Sequence, residues 1–156
     1  MPIVTLNGTV IPSSGYTVSY SNNINAGTAT ITVTGKNVDY MGIATGTFSI
    51  AKVTPTVIAP TAKVLTFNEE EQELVNSGST NFGTLKYSLD NSTWSTAIPK
   101  ATNYGSYTVY YKVEGDSNVN DVPSDNVGVP CSINEKQVTA TVILSQSTYT
   151  YNGSAR

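Results

Sequence analysis

Apolar and polar residues alternate over short runs along most of the chain. In Tyr16-Thr17-Val18-Ser19-Tyr20 the positions Tyr16, Val18 and Tyr20 share one face, and the run stops at Ser21-Asn22-Asn23. A period of two ending in a polar turn predicts a half-buried strand. The same pattern predicts strands at 29–34 and 45–50. Leu85-Lys86-Tyr87-Ser88-Leu89 places Leu85, Tyr87 and Leu89 inward, and Asp90-Asn91-Ser92 turns the chain into Thr93-Trp94. Further strands are predicted at 106–113 and 127–133. Pro55, Pro60, Pro99, Pro123 and Pro130 suit sheet edges, strand starts and bulges, because proline has no N–H to give to a ladder. Turns recur every 8 to 12 residues or so, the spacing of an all-β sandwich or small barrel. Only Glu69-Glu70-Glu71-Gln72-Glu73-Leu74-Val75 looks helical, and it reads equally well as a solvated acidic loop.

The strands repeat. Asn25-Ala26-Gly27-Thr28-Ala29-Thr30-Ile31-Thr32-Val33 returns as Asn103-Tyr104-Gly105-Ser106-Tyr107-Thr108-Val109-Tyr110-Tyr111. Each is an Asn-x-Gly turn followed by an alternating strand. A second turn follows in both copies, at Gly35-Lys36-Asn37-Val38-Asp39 and at Gly115-Asp116-Ser117-Asn118-Val119-Asn120. Each copy then closes on Ser-Ile, at Ser49-Ile50 and Ser132-Ile133. Across the joins, Val53-Thr54-Pro55-Thr56-Val57-Ile58 aligns with Val138-Thr139-Ala140-Thr141-Val142-Ile143, and Leu65-Thr66-Phe67-Asn68 with Tyr149-Thr150-Tyr151-Asn152. The period is about 83 to 85 residues. On this phase, residues 1–52 are an incomplete first β repeat without opening strands, and 53–135 are a complete second repeat. Residues 136–156 are the opening strands of a further one. The first and last pieces together make 73 residues, close to one unit, as expected of a slice taken out of phase from a longer repeat array.

Composition agrees with strands. Val, Ile, Thr and Tyr supply 60 residues, against 6 Leu and 10 Ala. β-branched and aromatic enrichment is the strand signature, and a helical bundle would be rich in Ala, Leu, Glu and Lys. Charged residues are 12% and the net charge is −3, which offers no basic patch to nucleic-acid phosphates. No apolar run approaches the roughly 18 residues of a membrane helix. Met1-Pro2-Ile3-Val4 lacks the basic region and apolar core of a signal peptide, and reads as an initiator methionine placed before a piece of a longer chain.

The chain contains no histidine and a single cysteine. Histidine-based nucleophilic catalysis and histidine zinc sites are therefore excluded. No nucleophile–base pair is visible and the acids are scattered, so no enzyme activity and no cofactor are expected. Cys131, in the predicted strand 127–133, reads as a small buried hydrophobe. A reactive thiol would need a cationic neighbour, and Lys136 is the nearby candidate.

The segments Tyr16–Asn23, Asn25–Ala29, Leu85–Ser95, Asn103–Val109 and Tyr149–Ala155 resemble bacterial Ig-like or MBG/YDG-type β repeats of cell-surface adhesins. The resemblance covers most of the chain, with the motifs in the same order. It implies an all-β fold of tandem antiparallel Ig-like β-sandwich units, with β-grasp-like small β domains as the alternative. It also implies an extracellular location on the bacterial cell surface and a non-enzymatic role as an adhesive stalk or spacer. The chain departs from the family pattern at Asn68-Glu69-Glu70-Glu71, where the family carries Asn/Asp-Gly-Ser-Ala. That puts the turn there in question, because glutamate is poor at positive φ.

Two alternative roles remain: a carbohydrate- or protein-binding module, and an accessory domain of a larger secreted enzyme. Tyr104 and Tyr110 are the exposed aromatic candidates for a host or matrix glycan or protein, while Trp94 and Tyr111 are expected in the core. Asp116–Asp121 spaces oxygens at alternate positions, but lacks the glycine and the final glutamate of a calcium loop. An internal Lys–Asn isopeptide bond would draw on Lys52, Lys112 and Glu114, although strand lysines ordinarily face solvent.

The repeat phase also predicts strand addition. The segments 138–144 and 149–152 fit the gap left in residues 1–52, and pairing would bury Val138, Val142, Leu144, Tyr149 and Tyr151. Each large side chain fully buried contributes roughly 1.5–3 kcal/mol, less the cost of ordering the tail. About twenty extended residues span ~66 Å at ~3.3 Å each. In an end-to-end rod that reach does not return the tail to its own first unit. The expected partners are therefore neighbouring repeats or other copies of the chain, joined head to tail by β-strand addition.

Overall fold

The computed structural model describes residues 3–36, 38–144 and 147–154, and its regular elements there are strands and one 3-10 turn. The protein is all-β, built from several small sheets. β1 (Thr5–Leu6) and β2 (Thr9–Val10) form a hairpin over Asn7 and Gly8, which sit at φ 49° and 82°. Positive φ at both positions marks a type I′ turn, which Asn-Gly tolerates best. A 3-10 turn at Ser13–Gly15 leads into β3 (Tyr16–Ser21), β4 (Gly27–Gly35) and β5 (Ile43–Ile50), an antiparallel sheet in the order β3-β4-β5.

The second half holds β6 (Val57–Ile58), β7 (Thr61–Ala62), β8 (Val64–Thr66), β9 (Gln72–Glu73), β10 (Val75–Asn76) and β11 (Ser79–Thr80). It continues with β12 (Thr84–Ser88), β13 (Lys100–Ala101), β14 (Gly105–Glu114) and β15 (Val129–Asn134). β12, β14, β15 and β8 form a four-stranded sheet in that order. The short strands pair as β6–β11, β7–β10 and β9–β13. Leu74 joins two of these pairs: its N–H donates to Pro99 O (3.1 Å) and its carbonyl accepts from Lys63 N–H (3.0 Å).

Alternation sets the core. Tyr107, Val109 and Tyr111 share one face of β14, and Val109 is fully buried. It clusters with Leu74, Val75, Tyr87, Cys131 and Ile133, so the short pairs and the four-stranded sheet enclose one apolar layer. The first half has less interior. Of the ten buried apolar residues among those described, only Tyr16 and Ala29 precede residue 53.

The two meanders share strand order and register. Gly27 stands opposite Ile50 and Val33 opposite Val18, as Gly105 stands opposite Ile133 and Tyr111 opposite Tyr87. They differ at the outer edge of the last strand. β8 lies parallel to β15, with Leu65 beside Ile133, whereas among the described residues no strand flanks β5 beyond β4.

Several expectations need correction. Not all pairing is antiparallel, because β8 reaches β15 through a long crossover that returns the chain in the same direction. Tyr20 and Leu89 point inward by alternation yet are 47% and 45% exposed; Tyr20 lies one residue from the end of β3 and Leu89 just past the end of β12. Trp94 and Tyr111 are half-buried instead of fully enclosed, and Lys112 Nζ sits 4.8 Å from the Trp94 ring centre. No strand is assigned after Asn134 among the described residues, although opening strands are predicted there. A strand needs a neighbouring edge for its N–H and C=O groups.

The acidic stretch is an extended loop leading into β9. Glu69 sits at φ 72°, close to the 76° of Gly153, its counterpart in the aligned turn. The turns match in hydrogen bonding too: Asn68 Oδ1 accepts Glu70 N–H (3.0 Å), and Asn152 Oδ1 accepts Ser154 N–H (3.2 Å). The turn is retained and glutamate bears the strain. A side chain in the left-handed region costs roughly 1–2 kcal/mol, part of which glycine returns through its freer unfolded chain. Glu69→Gly is expected to raise stability by roughly 0.5–1 kcal/mol, measured by urea unfolding. A destabilised variant would show that the glutamate side chain contributes a compensating contact.

Candidate functional site

A dense polar constellation lies where the two halves meet, and the loop after β14 builds it. Asp116 Oδ1 accepts the N–H groups of Asn118 (2.7 Å) and Val119 (3.0 Å), and Asp121 Oδ1 accepts Gly115 N–H (2.8 Å). These carboxylates hold the loop in a tight return. Gly115 is required by close approach, because a Cβ there would lie 2.2 Å from Val119 O.

The return presents Asn118 to the first half. Its Oδ1 accepts Ala26 N–H (2.7 Å) and its Nδ2 donates to Asn25 Oδ1 (3.1 Å). Its carbonyl accepts Val53 N–H (2.9 Å), and Asn120 N–H donates to Val53 O (2.8 Å). Together these make a parallel bridge between Val53 and Val119. Asn120 Nδ2 donates to Thr54 Oγ1 (2.9 Å), and Lys52 Nζ donates to Asp116 O (2.7 Å). Val119 is 6% exposed beneath this lattice. The loop therefore clasps both the Asn25-Ala26 turn and the connection between the halves. The sequence offered it only as a polar turn with some calcium spacing; the contacts to residues 25, 26 and 53 needed the fold.

Tyr104 is 59% exposed, its ring edge-on to Phe67 at 6.4 Å. Tyr110 is half-buried, contrary to expectation, because its ring lies against Gly128. The two tyrosines lie six positions apart, about 20 Å along extended chain. They do not form one stacking platform.

Val138, Val142 and Leu144 are 82%, 83% and 68% exposed, and Tyr149 and Tyr151 are 43% and 92% exposed. In the first half, Tyr20 and Phe48 meet edge-on at 6.3 Å and remain 47% and 40% exposed. A cavity of about 220 Å³ opens at the other end of that sheet, lined by Val4, Leu6, Ile11, Tyr16, Val33 and Ile43 among others.

Burial raises the Cys131 thiol above its ordinary range, which disfavours the reactive thiolate. Of the residues weighed for an isopeptide bond, Lys52 is spent on Asp116 O, Lys112 lies over Trp94, and Glu114 pairs with Lys86. Lys86 holds Glu114 below the usual carboxylate range, as Lys63 does Glu73.

Asp90 is held well below that range by the backbone N–H groups of Thr93 and Ser92, then by the hydroxyls of Ser88 and Thr93. A carboxylate depressed in the folded state adds stability that is present above its unfolded pKa. That contribution is lost as pH falls through the folded value. Acid unfolding is therefore expected to begin below about pH 4, and Asp90→Asn is expected to flatten that part of the pH–stability curve. Parallel curves for both proteins would rule out this role.

The chain matches no protein-family model, and searches of curated proteins and of solved structures likewise return no match.

Proposed function

We propose that this protein is a non-enzymatic structural module, a stalk or spacer segment of a bacterial cell-surface or secreted protein. Its units would be tandem Ig-like β-sandwiches of one repeat. Residues 1–52 form the body of one unit, 53–135 a whole unit, and 136–156 the opening strands of another. The observation that carries this reading is the Asn118 clasp. A spacer has to transmit direction from unit to unit, and a hinge of bare linker does not. Here a backbone bridge and a bidentate amide tie the Asn25-Ala26 turn and Val53 to the following unit. The first half buries little apolar surface of its own, which is the condition under which repeats are stabilised by their neighbours. The equal register of the two meanders fits the same view.

Residual dipolar couplings on residues 1–156 test the reading directly. One alignment tensor for both halves is expected. Two independent tensors would overturn a spacer role, because the units would then be beads on a flexible linker.

A further inference from the structure

We infer that the outer edge of β5 accepts residues 148–151 of a second copy of this chain as a parallel strand. The internal precedent is β8 on β15, where Val64, Leu65 and Thr66 stand beside Ser132, Ile133 and Asn134. Phe67 N–H extends that ladder to Asn134 O (2.9 Å). Ser49-Ile50 is the counterpart of Ser132-Ile133, by sequence and by register against the preceding strand. Leu65-Thr66-Phe67 is the counterpart of Tyr149-Thr150-Tyr151. The register of the new pair follows: Thr148 beside Ser49, Tyr149 beside Ile50, Thr150 beside Ala51, with Tyr151 N–H donating to Ala51 O.

Among the described residues no strand covers the receiving edge. β5 runs for eight residues, Ile43–Ile50, with no charge and no proline. Proteins ordinarily blunt such an edge with lysine, proline or a covering segment. The second half covers the equivalent edge with β8, and Leu65 and Phe67 pack against its core. In the first half, Tyr149 and Tyr151 of the incoming strand would take those places, over the apolar face that leaves Tyr20 and Phe48 exposed. Because donor and acceptor lie at opposite ends of the sequence, the contact is heterologous and propagates into open chains or rings. It rests on the repeat equivalence proposed above.

The test is solution mass by light scattering across a concentration series, on the full chain and on a Tyr149→Pro/Tyr151→Pro variant. Proline removes the two N–H groups the ladder needs, and both positions lie outside the buried core. The expected result is a mass that rises with concentration for the parent chain, with the rise lost in the variant. Amide exchange along β5 is expected to slow in step with the mass. A chain monomeric at every concentration, or oligomers that persist in the variant, would overturn the inference. So would slow β5 exchange independent of concentration, which would place the strand on its own molecule. A single alignment tensor with a monomeric chain would sink the strand addition alone, leaving the spacer reading standing.

Discussion

Leu74→Ala is expected to lower the stability of the second half by roughly 2–5 kcal/mol, the range for emptying a fully buried leucine site. Leu74 is 0% exposed at the centre of the cluster formed with Val75, Tyr87, Val109, Cys131 and Ile133. Its backbone is bonded on both sides, to Pro99 and Lys63, so the surrounding chain cannot easily collapse into the space. A restrained site keeps its cavity and lies toward the costly end of that range. Marginal domains hold only about 5–15 kcal/mol in total, so a large unfolded fraction at moderate denaturant is expected. Trp94 is the chain's one tryptophan and lies in this half, where its fluorescence reports the transition selectively. A loss below about 1 kcal/mol, the level of a surface change, would mean that the two layers do not close on Leu74.

Asn118→Ala is the second large effect, and it falls on the other half. The substitution removes both side-chain bonds to the Asn25-Ala26 turn while leaving the backbone bridge to Val53. At roughly 0.5–1.5 kcal/mol per net hydrogen bond, with a half-buried N–H left unpaired, the cost is about 1–3 kcal/mol. The first half has little else to rely on, since only Tyr16 and Ala29 are buried there among the described apolar residues. The expected result is early loosening of β3, β4 and β5 by amide exchange, with the Trp94 transition nearly unmoved. The couplings expected to share one tensor in the parent would separate into two. Asn118→Asp keeps an acceptor for Ala26 N–H and loses the donor to Asn25, so an intermediate effect is expected. If both variants unfold as the parent does, the clasp does not couple the halves.

The strands were legible because burial on one face imposes a period of two, and Thr, Val and Tyr mark it clearly. β3, β4, β5, β12 and β14 lie where the alternation of Tyr16–Tyr20, Ala29–Thr34, Thr45–Ile50, Leu85–Leu89 and Ser106–Val113 put them. Short strands such as β6, β7, β9 and β13 are two residues each, too brief for any periodicity to register. Leu89 and Tyr20 obeyed the alternation and still emerged, because alternation names a face and not what covers it. Tyr110 failed for the converse reason. It lies on the outward face of β14, and Gly128, just before the neighbouring strand β15, left room for its ring to lie down.

The sequence by itself determined the all-β class, the positions of the longer strands β3, β4, β5, β12, β14 and β15, and the turns between them. All of these depend on local sterics and on a short-range apolar period that a single chain segment carries within itself. Only the tertiary structure decided the parallel seat of β8 on β15, the enclosure of Leu74, the edge of β5 that no strand flanks among the described residues, and the contacts of Asn118. Those contacts join residues far apart along the chain, up to 93 positions in the case of Asn25 and Asn118. No local pattern records which distant backbone groups a polar turn will satisfy. That choice is made when the halves pack and every buried N–H must find an acceptor.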